Sequence, residues 1–133
     1  MRFVDSNVFI YHLAGDPSYG KKAKEILLRI ENGEIASTST FVVAQACAYL
    51  RWRRALDSIP LFIDLLRSLP MLEKHDTLFE DFTAAYALKE KSGLSWRYWD
   101  DLVIVSQMER LGISEIYSND KDFDGILGVR RIF

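Results

Sequence analysis

The sequence predicts an α/β fold, with a mainly parallel central sheet of about four to five short strands covered by helices on both faces. Short apolar stretches alternate with longer amphipathic ones at the spacing of βαβ units. The 133 residues are 49% hydrophobic and 27% charged, which suits one compact domain over residues 1–133 with a proper core. Acidic residues recur directly after predicted strands, at the sheet edge where α/β proteins bind ligands.

Composition narrows the class of protein and its compartment. A net charge of −2 argues against a general electrostatic nucleic-acid binder, but it leaves room for a local basic patch. The single cysteine, Cys47, excludes an internal disulfide and suits a reducing environment. The start of the chain is too short for a signal peptide, and no run has the ~18 apolar residues of a membrane span. We therefore expect a cytoplasmic protein that does not bind membranes.

The first elements place an acid at the end of a strand. Residues 3–4 favour a strand, the chain then turns polar, and a helix is expected from Val8. Asp5 therefore lies at the carboxyl end of the strand, and Ser6 or Asn7 is expected to cap the helix. This stretch alone leaves two roles open for Asp5, a ligand-binding acid or a simple turn or cap acid.

The remaining elements continue the alternation and bury one amide. Helices are predicted at 19–32, 40–55, 58–68, 76–92 and 100–111, and strands at 34–37, 71–73, 113–118 and 129–132. The helix capped by Thr40 is apolar all round in its first half, so we expect it to be buried. Gln45 is the only strongly polar side chain there, and an unpaired buried amide costs on the order of 1–3 kcal/mol. Its partner is either a backbone carbonyl or the pocket around Asp5.

Acids at equivalent places predict a cation site. Asp100 or Asp101 opens the helix at 100–111, and Asp120 follows the strand at 113–118. Acids in a first turn also complement the helix dipole, which is the simpler explanation of that pair. Several carboxylates gathered with Asp5 would repel strongly, however, and Mg²⁺ or Mn²⁺ with its preference for carboxylate oxygens would relieve the repulsion. The two histidines are isolated and offer no zinc site.

Four motifs in order resemble the PIN-domain nucleases, and among them the small toxins of the VapBC type. They are FVDSNVFIY, TSTFVVAQ, WDDLVIVSQMERLG and IYSNDKDFD, and they run along nearly the whole chain. The resemblance implies an endoribonuclease dependent on Mg²⁺ or Mn²⁺ that hydrolyses RNA phosphodiester bonds as the toxin of a toxin–antitoxin pair. It also implies an RNA substrate, a cognate antitoxin that covers the groove, and a homodimer.

The resemblance assigns roles to residues of this chain. The catalytic set is Asp5, Gln45, Asp101 and Asp120, with Asp5, Asp101, Asp120 and Asp122 as metal ligands and with Ser6, Asn7 and Ser118 as small polar residues around them. Asp101 is preferred to Asp100 because it lies 11 residues before Gly112, the usual spacing of the motif, so Asp100 should be the more solvent-exposed of the two. Whether one or two metal ions bind stays open.

Basic and apolar residues complete the predicted surfaces. The candidates for RNA contact are Arg51, Arg53, Arg54, Arg97 and Lys121. The three arginines at the end of their predicted helix also fit a simpler role, a solvated helix end that complements the helix dipole. Exposed apolar residues of the two N-terminal helices, Tyr11, Leu13 and Tyr19, are the expected surface for a partner protein.

The chain departs from the family at one place, because Gln45 stands where the family usually has Glu. An amide still presents an oxygen but removes one negative charge and cannot act as a base. The presence of Gln at this position fits either a naturally attenuated enzyme or a residue that was changed to inactivate a toxic enzyme for expression. A catalytically inactive PIN domain that binds RNA or acts as a scaffold is the main rival. A phosphatase with an aspartyl nucleophile is disfavoured, since Asn7 occupies the place of its second acid.

Overall fold

A computed structural model, which describes all 133 residues, contains one sheet of five parallel strands. In chain order the strands are β1 (Arg2–Val4), β2 (Ala36–Ser39), β3 (Leu72–His75), β4 (Glu115–Tyr117) and β5 (Arg130–Ile132). Their order across the sheet is β3-β2-β1-β4-β5. The predicted α/β fold with a central parallel sheet is therefore confirmed.

Six α-helices connect the strands. They are α1 (Ser6–Ala14), α2 (Gly20–Glu31), α3 (Thr40–Trp52), α4 (Ser58–Arg67), α5 (Phe79–Ser92) and α6 (Trp99–Arg110). Helix α1 packs against α2, α3 and α4, whereas α5 packs against α6. Because parallel crossovers are right-handed, these two groups cover opposite faces of the sheet. No helix has the length and apolar character that crossing a membrane requires.

The topology brings the ends of β1 and β4 together at the point where the strand order reverses. Val4 is paired with Tyr117, and the Asp5 amide donates a hydrogen bond to the Tyr117 carbonyl at 3.1 Å. The residues that follow each strand, Asp5 and Ser118, thus emerge side by side at the carboxyl edge. Ligands of open α/β sheets bind in the crevice at such a switch point.

A tightly buried core holds this edge in place. Phe3, Val4, Ile116 and Tyr117 in the two central strands have no exposed surface. In α6 every residue from 102 to 108 is buried, so the helix is fixed along most of its length. The first turn of α6, which carries the predicted acids, therefore stands on a rigid support.

The expectation that the first half of α3 is buried is wrong. Val42, Ala46 and Leu50 are buried and Phe41, Val43 and Cys47 pack partly buried against the core, whereas Ala44 and Tyr49 are exposed. Composition misleads here because alanine is small enough to be tolerated at a surface, and tyrosine keeps a polar tip in water. The helix is amphipathic through residue size rather than through charge.

The predicted helix caps are also wrong by one residue. Asp5 caps α1 by accepting a hydrogen bond from the Ser6 amide at 2.7 Å, so neither Ser6 nor Asn7 is the cap. Ser39, rather than Thr40, caps α3 by accepting from the Val42 amide at 3.3 Å. The displaced bounds reflect short strands that run into helices without a loop between them.

Candidate metal centre

Three carboxylates meet at the switch point. One oxygen from each of Asp101, Asp120 and Asp122 lies within 4.8 Å of the others. Asp101 comes from the first turn of α6, while Asp120 and Asp122 belong to the segment that leaves β4 and forms a 3-10 turn over Lys121–Gly125. The turn is closed by the Asp122 amide, which donates to Asp120 Oδ1 at 2.9 Å. Acids far apart in sequence are thus gathered by the sheet topology.

Asp5 lies behind this group and is held from several sides. It is only 5% exposed. Its Oδ1 accepts from the Ser6 amide at 2.7 Å, and its Oδ2 accepts from the Ser118 hydroxyl at 2.7 Å and from Asn7 Nδ2 at 3.2 Å. Asp5 is therefore the cap of α1, and the Ser118 hydroxyl links its carboxylate to the Asp120 amide beside the acidic group.

The small polar residues predicted around the acids form one network. The buried Ser118 hydroxyl accepts from Asn7 Nδ2 at 2.9 Å and from the Asp120 amide at 3.0 Å while it donates to Asp5. Asn7 Oδ1 in turn accepts from the Asn119 amide at 3.2 Å. Ser118 thus ties the orientation of Asp5 to the backbone of Asp120, and Asn7 joins α1 to the same loop.

The carboxylates shift one another's protonation. Burial raises the pKa of Asp5, as does the charge of Asp120, against the hydrogen bonds from Ser118 and Ser6. Burial together with the charges of the surrounding carboxylates raises the pKa of Asp101 from 3.8 to about 7. Asp100 is exposed, whereas Asp101 is half-buried, which is the order expected from the motif spacing.

Gln45 lies on the wall of the cleft between α1 and α3 and makes no hydrogen bond to Asp5. Its Nε2 donates to Asp100 Oδ2 at 3.1 Å, so its partner is a carboxylate of α6 and not the backbone carbonyl that was one of the two expected partners. The cleft has a volume of about 450 Å³, and Ser6, Asn7 and Tyr49 also line it. Gln45 Oε1 is buried without a hydrogen-bond partner.

The donor set fits a hard divalent cation. Carboxylate oxygens are the ligands that Mg²⁺ and Mn²⁺ prefer, and three of them converge here beside a fourth on Asp5. Burial, and after it the charges of Asp120, Asp5 and Asp122, raise the pKa of Asp101, so a bound cation would relieve the repulsion among these carboxylates. The unpaired Oε1 of Gln45 is a further oxygen at the edge of the same region.

Comparison with known proteins identifies the family. The family model described as PIN domain matches residues 2–126. The chain belongs to the PIN domain family. A comparison with curated proteins gives no significant match. The PIN resemblance that four short motifs indicated is thereby confirmed.

Solved structures share the whole fold of this PIN domain. VapC20 of Mycobacterium tuberculosis, a sarcin-ricin loop cleaving toxin, superposes with a TM-score of 0.77 at 17% identity, over 98% of this chain and 99% of that one. VapBC2 of Rickettsia felis, solved bound to a promoter DNA fragment, gives 0.73 at 17% identity over 98% and 96%. A toxin–antitoxin complex of Klebsiella pneumoniae gives 0.67 at 15% identity over 98% and 96%. At these identities the similarity establishes the fold.

The predicted basic residues divide into two groups by position. Arg97 donates to Asp122 Oδ1 at 2.8 Å, and Lys121 directly follows Asp120, so both lie at the PIN acidic site. Arg51 lies in the last turn of α3, Arg53 and Arg54 follow the helix, and all three are exposed. Helix α3 is roughly 20 Å long and begins at the sheet edge. These three therefore lie at the end of α3 that is farther from the sheet edge.

The predicted partner surface is only partly exposed. Tyr11 and Leu13 are half-buried and pack against the core, so their expected exposure is wrong. Tyr19 is 41% exposed. The rings of Tyr11 and Tyr19 lie 5.0 Å apart, and each lies 5.9 Å from the ring of Phe133. These aromatic side chains cover one another because the end of the chain folds back over α1.

Sequence analysis missed one cation of this site. Arg131 in β5 donates two hydrogen bonds of 3.0 Å to Asp124 and a longer one of 3.5 Å to the Ser118 carbonyl. The hydrogen bonds to Asp124 are the main cause of the raised pKa of Arg131, and the charge of Asp120 adds to it. Its position in the strand next to β4 was the available signal, since parallel neighbours bring residue 131 level with Ile116.

Proposed function

We propose that this PIN domain is a divalent-cation-dependent endoribonuclease that acts as the toxin of a toxin–antitoxin pair. The observation that carries the proposal is the convergence of Asp101, Asp120 and Asp122 within 4.8 Å, in front of Asp5, at the switch point of the sheet. Family membership supports a nuclease. The shared fold with VapC20, a sarcin-ricin loop cleaving toxin, supports RNA as the substrate and the toxin role.

The aspartates and the polar residues around them would have different roles in the proposed reaction. Asp5, Asp101, Asp120 and Asp122 would hold Mg²⁺ or Mn²⁺, which when bound activates water and stabilises charge on a scissile phosphate. Ser118 and its neighbours keep the carboxylate of Asp5 in one orientation through the hydrogen bonds on both of its oxygens.

Phosphate binding falls to the cations at the rim. Arg97 is 65% exposed in its side chain and is fixed by Asp122 and by the hydroxyl of Tyr98, at 3.0 Å. Lys121 is exposed one residue after Asp120. An overall charge of −2 would repel RNA, so binding relies on these local cations, and its affinity should fall as salt concentration rises.

The partner of the proposed toxin is a protein. Both the Rickettsia felis and the Klebsiella pneumoniae structures are toxin–antitoxin assemblies with the same fold. We therefore propose a cognate antitoxin for this chain, and a homodimer as its own assembly.

Cleavage of defined RNA tests the proposal. The purified chain is incubated with a structured RNA pool, and with an RNA that carries a sarcin-ricin loop, in Mg²⁺, in Mn²⁺ and in EDTA. We expect internal cleavage with either cation, none in EDTA, and none for Asp101→Asn or Asp120→Asn. RNA binding that persists without cleavage at any cation concentration would refute the nuclease and favour an RNA-binding PIN domain. That rival is favoured by Gln45, whose amide brings no charge to the site.

A further inference from the structure

We propose that Gln45 positions Asp100 as an additional carboxylate of the cation centre, on the side that faces the cleft between α1 and α3. The proposal rests on the cation centre of the proposed function and extends it by two residues. It gives Gln45 the role of a positioning residue and Asp100 that of a ligand-side charge.

The first observation is the contact between the two side chains. Gln45 Nε2 in the middle of α3 donates to Asp100 Oδ2 in the first turn of α6 at 3.1 Å, across 55 positions of sequence. An acid that only complements a helix dipole needs no partner and moves freely in water. Asp100 is exposed, and yet its carboxylate is held by an amide from another helix.

The second observation is the cost that this contact imposes. With its donor group on Asp100, Gln45 turns Oε1 into a buried place where it has no partner. Flipping the amide would set Oε1 against the carboxylate of Asp100, so that two acceptors would face each other. The orientation of Gln45 is therefore decided by Asp100, and an unpaired buried oxygen is the consequence.

The third observation is where the held carboxylate lies. Asp100 lines the same cleft as Ser6 and Asn7, two of the three residues that donate hydrogen bonds to the carboxylate of Asp5. The next residue along α6, Asp101, belongs to the group of three converging acids. Asp100 therefore borders the centre at the opening of the cleft, and its amide partner keeps it there.

Exchanging the charge between the two positions tests the proposal, with Mn²⁺ affinity measured by calorimetry and Mn²⁺ as the only ligand. In Gln45→Glu/Asp100→Asn the carboxylate and the amide change places, so the total charge and a hydrogen bond between them are kept. We expect Asp100→Asn to weaken Mn²⁺ affinity about tenfold, the size usual for residues that support a metal site. The double variant should return to within about threefold of the wild type.

Three controls complete the design. Asp64→Asn removes an exposed carboxylate, paired with Arg67 on α4, and should leave Mn²⁺ affinity unchanged. Asp120→Asn should abolish binding and so identify the centre as the place of the bound ion. Thermal melts in EDTA check that every variant folds, and variants are compared only on binding by folded protein.

The outcomes separate this inference from the proposed function. Unchanged Mn²⁺ affinity in Asp100→Asn overturns the inference, and so does a double variant that binds as weakly as Asp100→Asn. A chain that shows both expected effects but cleaves no RNA refutes the nuclease and leaves the pair standing. A wild type that binds no Mn²⁺ overturns the cation centre and the inference together.

Discussion

Replacing Asp101 by Asn should stabilise the metal-free protein while it removes the response to metal. The pKa of Asp101 rises to about 7 because burial and the carboxylates of Asp120, Asp5 and Asp122 all disfavour its charged form. In the unfolded chain the same group titrates near its ordinary value of 3.8. The folded state therefore holds this proton more tightly than the unfolded state does, and it is penalised once the proton is lost.

The size and the pH window of the effect follow from that shift. The penalty is absent below about pH 4, grows as pH rises towards the folded pKa, and is complete above pH 7. About two thirds of the penalty develops between pH 5 and pH 8, which corresponds to about 2.7 kcal/mol of unfolding free energy. Because Asp101 is only half-buried, water screens the repulsion, and we halve the figure to about 1.4 kcal/mol.

Urea unfolding in EDTA at pH 5 and pH 8 measures this penalty. Asp101 should account for about 1.4 kcal/mol of the unfolding free energy that the wild type loses between the two pH values, so Asp101→Asn should lose less than the wild type by about that amount. Asp64→Asn, which removes an exposed carboxylate of α4, should keep the wild-type dependence. Saturating Mn²⁺ should reverse the order of the two proteins, since only the wild type gains binding free energy. An Asp101→Asn protein less stable than the wild type at pH 8 in EDTA would refute the electrostatic explanation.

Three further changes probe the scaffold by urea unfolding. Asp81→Asn breaks an ion pair of the buried Asp81 with Arg110, whose side chain is 34% exposed, at 2.7 and 2.9 Å. It should cost about 2 kcal/mol at neutral pH, because water screens the Arg110 side of the pair. Despite burial, the pKa of Asp81 is lowered by its hydrogen bonds from Arg110, so the wild-type advantage should vanish in acid, and a constant difference would contradict the pairing. Ser118→Ala removes the hydroxyl that joins Asp5, Asn7 and the Asp120 amide and should cost about 1–2 kcal/mol, with Ser114→Ala on the exposed surface as a neutral control. Arg54→Gly should gain about 1 kcal/mol, because Arg54 has a φ of +56°; a loss would mean that its side chain stabilises the turn.

The position of the acids was predictable because topology constrains it more than side-chain detail does. Asp5 and Asp120 each follow a strand, and in a parallel sheet all such positions meet at one edge. Asp101 opens a helix whose following residues are apolar and buried, which fixes where that helix starts and where its first turn points. These inferences need only strand order and direction.

The contact of Gln45 was not predictable by the same means. The partner of its amide depends on how α3 approaches α6, and these helices belong to groups on opposite faces of the sheet. The exposure of Ala44 and Tyr49 was missed for a related reason. A helix of small and aromatic residues has no charged stripe to mark the side that faces water.

The two roles of Asp5 decide how its variants should be interpreted. Its Oδ2 accepts from both Ser118 and Asn7, and its Oδ1 caps α1. In Asp5→Asn one of the two oxygens becomes an NH₂ group. If the remaining oxygen keeps the cap of α1, the new NH₂ group faces Asn7 Nδ2, so that two donors oppose each other. The substitution therefore damages the anchor of α1 as well as the charge of the centre. Loss of cleavage in Asp5→Asn alone would have two explanations, whereas Asp120 faces the centre from a surface turn and accepts only the Asp122 amide with its side chain. Loss of cleavage in Asp120→Asn is for that reason the clearer evidence that the reaction requires the cation.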